Sequence, residues 1–221
     1  KNHIHGFENQ QAHLQKQVSF EKAASGFMVA DPLTLYDCCP TSDGASCVIL
    51  AADHVVRQFT DDPVWLRSSG AGSDRLALHD RPSITQLVAT QKASKSAYSA
   101  AGITATDVDL AEVHDCFTVA EMIATEDLGF AESGQGGMFA RDGRGIRNEG
   151  SVCINPSGGL KSKGHPLGAT GTGQAVEVFK QLRGSVESER QVRDAQIGIT
   201  HNVGGSGATC AVHVFGRDRN E

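Results

Sequence analysis

The sequence predicts an α/β fold built of stacked layers, on two observations. Short apolar runs of strand length alternate with longer stretches whose apolar residues recur at helical spacing. The segments between them are rich in glycine and fall where strands end, the usual position of ligand-facing loops in such folds. At 221 residues the chain is long enough to bury a substantial core.

Residues 1 to 30 are polar, and "NQQAHLQKQ" reads as a helix leading into a loop. "DPLTLYDCCPTSDGASCVILA" is turn-rich up to its Asp-Gly pair and then gives a buried strand over 46 to 51, because the apolar run is short and bounded by turn residues. "PVWLRSSGAGS" supplies a second strand that runs into a glycine-rich break. A boundary is expected there, separating residues 1 to 75 from residues 83 to 221. "SITQ" has the form of a capping box, with Ser83 as N-cap and Gln86 at N3. Ile84, Leu87 and Val88 open the helix that follows, and Gly102 ends it. "VDLAEVH" reads as a strand, and "TVAE" is a second capping box, starting a helix at Thr118 that ends near Gly129. Residues 131 to 153 hold too little apolar content for a regular element. "GTGQAVEVFKQLRG" is a third helix with Ala175, Val178, Phe179 and Leu182 on one face, and "QIGIT" and "ATCAVHVFG" are strands joined by "HNVGGSG".

Composition narrows the function. The formal net charge of −6 has acidic and basic residues interspersed, so there is no basic stripe for a nucleic-acid backbone. The longest apolar runs fall far short of the roughly 20 residues that span a bilayer, and no secretory pattern opens the chain. Six cysteines without Cys-x-x-Cys spacing fit the reduced thiols of a cytoplasmic protein better than a disulfide framework. The chain opens "KNHIHGF" without methionine, so a native start upstream of Lys1 is expected.

Three places could carry chemistry. Cys116 precedes the proposed helix start at Thr118, where free N–H groups and the helix dipole favour a thiolate, and His114 lies on the same approach. A buried cysteine beside a hydrogen-bonded histidine is the plain alternative. His165 in "KGHPLG" sits between Gly164, which permits unusual backbone angles, and Pro166, which fixes φ, so it is positioned more firmly than a histidine of an ordinary surface turn. The loop from His201 to Gly207 offers backbone N–H groups suited to a developing oxyanion. "GATGTG" follows a loop instead of a strand and so is no dinucleotide fingerprint, and His114, Cys116 and His165 lack a fourth ligand at zinc-like spacing.

Taken together, "HDCF" at 114 to 117, "NPSGGLKSKGHPLGATGTG" at 155 to 173 and "HNVGGSGA" at 201 to 208 resemble the later catalytic loops of the thiolase superfamily. The HDCF form is similar to the sterol-carrier-protein-2 type and its archaeal and bacterial relatives, and "DPLTLYDCCPTSDGASCVIL" resembles the end of that family's first half. The resemblance implies a layered thiolase-like fold with mixed central sheets, comprising the C-terminal half and the end of the N-terminal half. It implies an acyl-CoA C-acyltransferase that condenses acyl-CoAs or cleaves a 3-ketoacyl-CoA by thiolysis, with coenzyme A thioesters as substrates and no further cofactor or metal.

By the same resemblance His165 serves the nucleophile and the thioester oxygen, Cys116 is the acid/base at the α-carbon, and His114 completes an oxyanion hole. His201, Asn202, Gly204 and Gly205 line the thioester pocket, in a loop that offers no cysteine where other thiolases have one. The family's acyl-accepting cysteine has no counterpart among the six here and is expected in an upstream segment. Partners implied are an N-terminal fragment or a second copy of the chain, and a zinc-ribbon/OB-fold protein. The alternatives are a thiolase-fold retro-aldolase acting on acyl-CoA and a non-catalytic scaffold subunit.

Overall fold

The computed structural model describes residues 1–219. Seven strands and eight α-helices are present among them. The short strands β1 (Met28–Ala30) and β2 (Leu33–Thr34) form a separate exposed ribbon. The remaining five, β3 (Trp65–Ser73), β4 (Leu110–Glu112), β5 (Cys153–Ile154), β6 (Ile197–Gly204) and β7 (Thr209–Gly216), make one sheet in the order β3-β7-β6-β4-β5. Pairing is antiparallel across β3, β7 and β6 and parallel across β6, β4 and β5, so the sheet is mixed as expected.

Side chains alternate across this sheet and feed two cores. Ala111, Ile154, Ile199, Val212 and Val214 pack with Ala89, Ala93 and Ala97 of α4 (Val88–Ala101) and Ala124 of α5 (Thr118–Asp127). Leu110 and Cys153 turn the other way, against Val178 and Leu182 of α8 (Thr170–Leu182). The helices therefore cover the sheet from both sides. α4 lies against β3 with unusual intimacy. A Cβ on Gly70 would stand 2.0 Å from the carbonyl oxygen of Ala93, and one on Gly72 would stand 2.0 Å from that of Ala89. Ser68 instead donates its hydroxyl to the Ala97 carbonyl at 2.7 Å. Two residues of strand advance roughly 6.6 Å and four residues of helix roughly 6 Å, so positions 68, 70 and 72 meet 97, 93 and 89 in step. "SSGAGS" is thus a strand whose glycines admit a helix backbone. It lies before residue 75 yet pairs along its length with β7, so the first expected unit lends an edge strand to the sheet of the second.

Several local expectations are corrected. The first helix, α1, is Asn2–Phe7, and "NQQAHLQKQ" is irregular; α2 (Phe20–Ala24) and α3 (Asp53–Val56) are single turns. Residues 46 to 51 form no strand; the segment is irregular and pairs with no described strand. Ile49 and Leu50 stand 92% and 77% exposed. The Ser83 hydroxyl accepts from the Thr85 N–H, and α4 starts later; Asp127 of α5 caps it from a distance by accepting the Leu87 N–H at 2.6 Å. Thr118 does not cap α5 but donates to Asp37 at 2.6 Å. Residues 131 to 153 do contain regular structure, α6 (Gly136–Arg141) and the start of β5. The buried face of α8 includes Gln174, Glu177 and Gln181, while Phe179 is partly exposed. Gly102 ends α4 in the left-handed region, as read.

Gly70→Ala forces a methyl group into the Ala93 carbonyl and should lower the unfolding free energy by about 1 to 3 kcal/mol. Urea denaturation checks this; an unchanged midpoint would mean that α4 shifts without cost.

Candidate active site

Parallel strands β4, β5 and β6 run in one direction, so the segments leaving β4 and β5 emerge together at one edge, and the later part of β6 passes beneath them. The chain from β4 carries His114, Asp115 and Cys116; that from β5 carries Asn155 through α7 (Gly159–Ser162) to His165. Buried hydrogen bonds sew these two loops together. Glu112 accepts from the Ser157 N–H at 2.9 Å and its hydroxyl at 2.7 Å. Asp115 accepts the Leu160 N–H at 2.6 Å, and Asn155 Oδ1 accepts the Val113 N–H at 2.8 Å.

The structure brings His114 and His165 together, ring centroids 4.9 Å apart and planes at 89°. His165 Nδ1 lies 2.7 Å from Thr170 Oγ1, whose hydroxyl also bonds the Pro166 carbonyl at 3.0 Å. With the single hydroxyl proton on Pro166 O, Thr170 accepts from Nδ1–H and leaves His165 Nε2 with a bare lone pair. The loop is strapped from outside by residues 41 to 46. Ser42 Oγ accepts the His165 N–H at 3.2 Å, Thr41 bridges His165, and Ser46 donates to the Ala169 carbonyl at 2.7 Å. Gly164 holds φ +113°, and a Cβ there would strike Ser42 Oγ at 2.7 Å. This strap was invisible in the sequence, where it read as a lead-in to a strand.

His114 is buried, and its Nδ1 has no hydrogen-bond partner among the described residues. An unmatched buried acceptor costs less than an unmatched donor, so the ring proton belongs on Nε2. Burial, and secondarily His165, lowers its pKa to about 4. His165 is lowered by burial and by Lys163. Cys116 is half-buried, and its thiol is pushed up to about 11 by burial, then by Cys39 and Asp115. The helix terminus does not win against these neighbours, so the resting group is a thiol, contrary to the thiolate expected from its place before α5. Cys39, absent from the sequence-level site, is drawn in by its N–H donating to the Cys116 carbonyl at 3.0 Å.

The four remaining expected residues are dispersed. His201 lies within β6, fully buried, with its ring toward Thr90 of α4. Asn202 faces the opposite side and donates to Gln174 of α8 at 3.1 Å. Gly204 and Gly205 come roughly 10 to 13 Å further along, at the hairpin turn. There Arg81, which no motif singles out, donates to the Ser206 carbonyl at 2.8 Å.

Beneath Asp115 lies a second buried carboxylate. Asn2 donates to both Asp115 and Glu121 at 2.6 Å, and Lys1 pairs with Glu121 at 3.0 Å. Burial and the Glu121 charge raise Asp115 to about 7. Burial would raise Glu121 too, but Lys1, Lys161 and the Asn2 bond hold it down at about 2. Glu121 is therefore the ionised member of the pair, and Asp115 gains or loses its proton near neutral pH.

Stability should fall in acid. Burial lowers His3 and His114 to about 4 and His5 and His201 to about 3, from 6.5. Stability from these four is present above the unfolded histidine pKa and is lost as pH falls toward the folded values. Asp115, Glu112 and Asp127, all raised by burial, oppose, their contributions being full at low pH and lost as pH rises through their folded values, but His165, His213 and the N-terminal amine, lowered by burial, add to the four histidines and leave the bases in the majority. Urea unfolding should give a smaller unfolding free energy near pH 5 than near pH 7; an equal or larger one would contradict the neutral assignments.

The model of the thiolase C-terminal domain-like family matches residues 70–217. The chain is 50% identical over 216 residues to an acetyl-CoA acetyltransferase of Methanothermobacter thermautotrophicus, covering 98% of this chain and 56% of that protein. It is 38% identical over 213 residues to sterol carrier protein 2 of Bos taurus, covering 94% of this chain and 39% of that one. It thus spans little more than half the length of the acetyltransferase. Among solved structures, the Ltp2-ChsH2(DUF35) aldolase superposes with a TM-score of 0.87 at 22% identity, over 100% of this chain and 57% of that one. Fold, loop order and family match agree: the chain belongs to the thiolase C-terminal domain-like family.

Proposed function

We propose that this chain carries the proton-handling part of an acyl-CoA C-acyltransferase site, which condenses two acyl-CoAs or cleaves a 3-ketoacyl-CoA by thiolysis. The observation that carries the reading is the meeting of His114 and His165 at 4.9 Å, beside the loop that presents Cys116. Their inferred protonation states divide the work. His165, with Nε2 unprotonated, can take the proton of an acyl-accepting thiol and then, as imidazolium, donate to the thioester oxygen. His114, with Nε2–H, is a neutral donor for an enolate oxygen. Cys116, a thiol pushed up to about 11, is poorly suited to attack as a thiolate; as a thiol it can return a proton to the α-carbon in the cleavage direction, and in condensation it must first give up that proton, for which the bare Nε2 of His165 is the proposed acceptor, before its thiolate takes the α-proton. The acyl-accepting cysteine is assigned to a segment upstream of Lys1, because none of the six cysteines present has its family setting.

Retro-aldol cleavage of an acyl-CoA is the second reading, favoured by the close superposition on the aldolase. It needs the same proton handling but no acyl-enzyme. The exposed run at Ile49 and Leu50 supports association with an upstream segment or a second copy. The paired name of the aldolase neighbour supports a further partner protein, which native mass spectrometry would reveal.

In the full-length enzyme Cys116→Ala should abolish condensation, with a loss of at least roughly 10² to 10⁴-fold, and still permit labelling of the separate nucleophile by acyl-CoA. His165→Ala should impair both steps. Single-turnover acylation and condensation assays beside thermal melts separate the readings. A folded Cys116→Ala enzyme that condenses at wild-type rate sinks the acid/base assignment, and turnover without any acyl-enzyme selects the aldolase.

A further inference from the structure

His201 stands on β6 next to the point where β4 gives way to His114, since Thr200 is in register with Glu112. At 1% exposure it cannot reach a substrate. Both ring nitrogens are engaged inside the protein. Nδ1 accepts the backbone N–H of His114 at 3.3 Å, and Nε2 lies 3.0 Å from Thr90 Oγ1 on α4. Because Nδ1 accepts, a neutral ring carries its proton on Nε2 and donates it to Thr90. The strand beneath is pinned from the opposite face. Gln174 of α8 donates to the His201 carbonyl at 3.1 Å and accepts from Asn202 at 3.1 Å.

The His114 amide lies two residues beyond the end of β4, where the sheet ladder no longer supplies a carbonyl. The imidazole of the neighbouring strand takes that place. The geometry points to His201 as a positioning residue for His114: a buried imidazole, locked between the Thr90 hydroxyl and the His114 amide, that fixes the backbone from which the His114 ring meets His165. This role touches no substrate, replaces the pocket-lining role that the family resemblance implied for His201, and rests on the proposed function of His114.

The test uses the full-length enzyme. His201→Leu removes the acceptor, whereas His201→Asn sets an amide oxygen near the place of Nδ1. His201→Leu should lower kcat by roughly 10²-fold with KM for acyl-CoA within about twofold, and His201→Asn should recover about tenfold of that loss. Equal losses in folded Leu and Asn variants overturn the proposal. Should His201→Leu fail to fold, ring nitrogen NMR of the unmutated full-length enzyme still decides. His201 must appear as the neutral Nε2–H tautomer at neutral pH, and an Nδ1–H tautomer overturns the assignment. His114→Ala, assayed in parallel, separates the two failures. If folded His114→Ala turns over normally, the functional reading of the site falls; if it is inactive while folded His201→Leu turns over normally, only the positioning role falls.

Discussion

The site depends on the fastening of one loop to another by buried carboxylates. Glu112 and Asp115 stand at and just beyond the end of β4, and each accepts N–H groups from the glycine-rich loop that leaves β5. The N-terminal segment ties the same loop from outside, Asn9 donating to the Ser157 carbonyl at 2.9 Å and the Ser162 hydroxyl donating to the Leu14 carbonyl at 2.8 Å. The loop's glycines make no side-chain contacts, and Gly158 and Gly159 both take positive φ. A flexible chain in this state would lose substantial backbone entropy on ordering. The carboxylates offset that loss, and they fix direction as well as position, because a hydrogen bond to a buried acceptor weakens steeply when it bends. Gly159 is required for the fit: a Cβ there would stand 2.5 Å from Asp115 Oδ2. Glycine content and carboxylate placement are therefore parts of one arrangement, in which the loop supplies N–H groups at close range and β4 supplies the oxygens.

The same logic extends outward in shells. His165 is held by Thr170 from within its own loop and by Ser42 from the strap at 41 to 46. His114 is held through its amide by His201, and His201 by Thr90 and by the Gln174 clamp on its strand. α4 can reach His201 through Thr90 only because Gly70 and Gly72 let the helix settle onto the sheet. A packing feature at one edge of the sheet thus sets the depth at which a side chain near the site is supported.

The fold class was legible because alternation of apolar runs is a property of neighbouring residues. So was the end of α4, since Gly102 can adopt its left-handed angle without cost. The chemical residues were legible where motifs concentrate them, at 114 to 116 and at 165. What escaped depends on partners distant in sequence. Ser83 and Thr118 have the right chemistry for caps, but Asp127 caps α4 across the fold, and Thr118 is taken by Asp37. The apolar run at 46 to 51 has every local mark of a strand, yet it joins neither edge of the sheet, and pairing is a property no local run can show. His201 and Asn202 are adjacent in the chain, yet a strand turns them to opposite faces, so a reading that grouped them in one loop could not separate a buried support from a clamp on α8.

The protonation pattern makes the site nearly neutral at rest, and this has a consequence for catalysis. Burial favours uncharged forms, and the structure accepts them: a thiol at Cys116, neutral rings at His114, His165 and His201, and an Asp115 carboxyl raised to about 7. A pre-ionised site would have to carry desolvated charges before any substrate arrived, at a cost of several kcal/mol per ion. A neutral site instead meets charge only as it forms, with donors already aimed and no solvent to reorganise. The ionised member, Glu121, is kept one layer below, where Lys1 and Lys161 balance its charge. Proton transfer is thereby left to the groups at the loop edge, and the charged layer beneath serves to hold those loops in place.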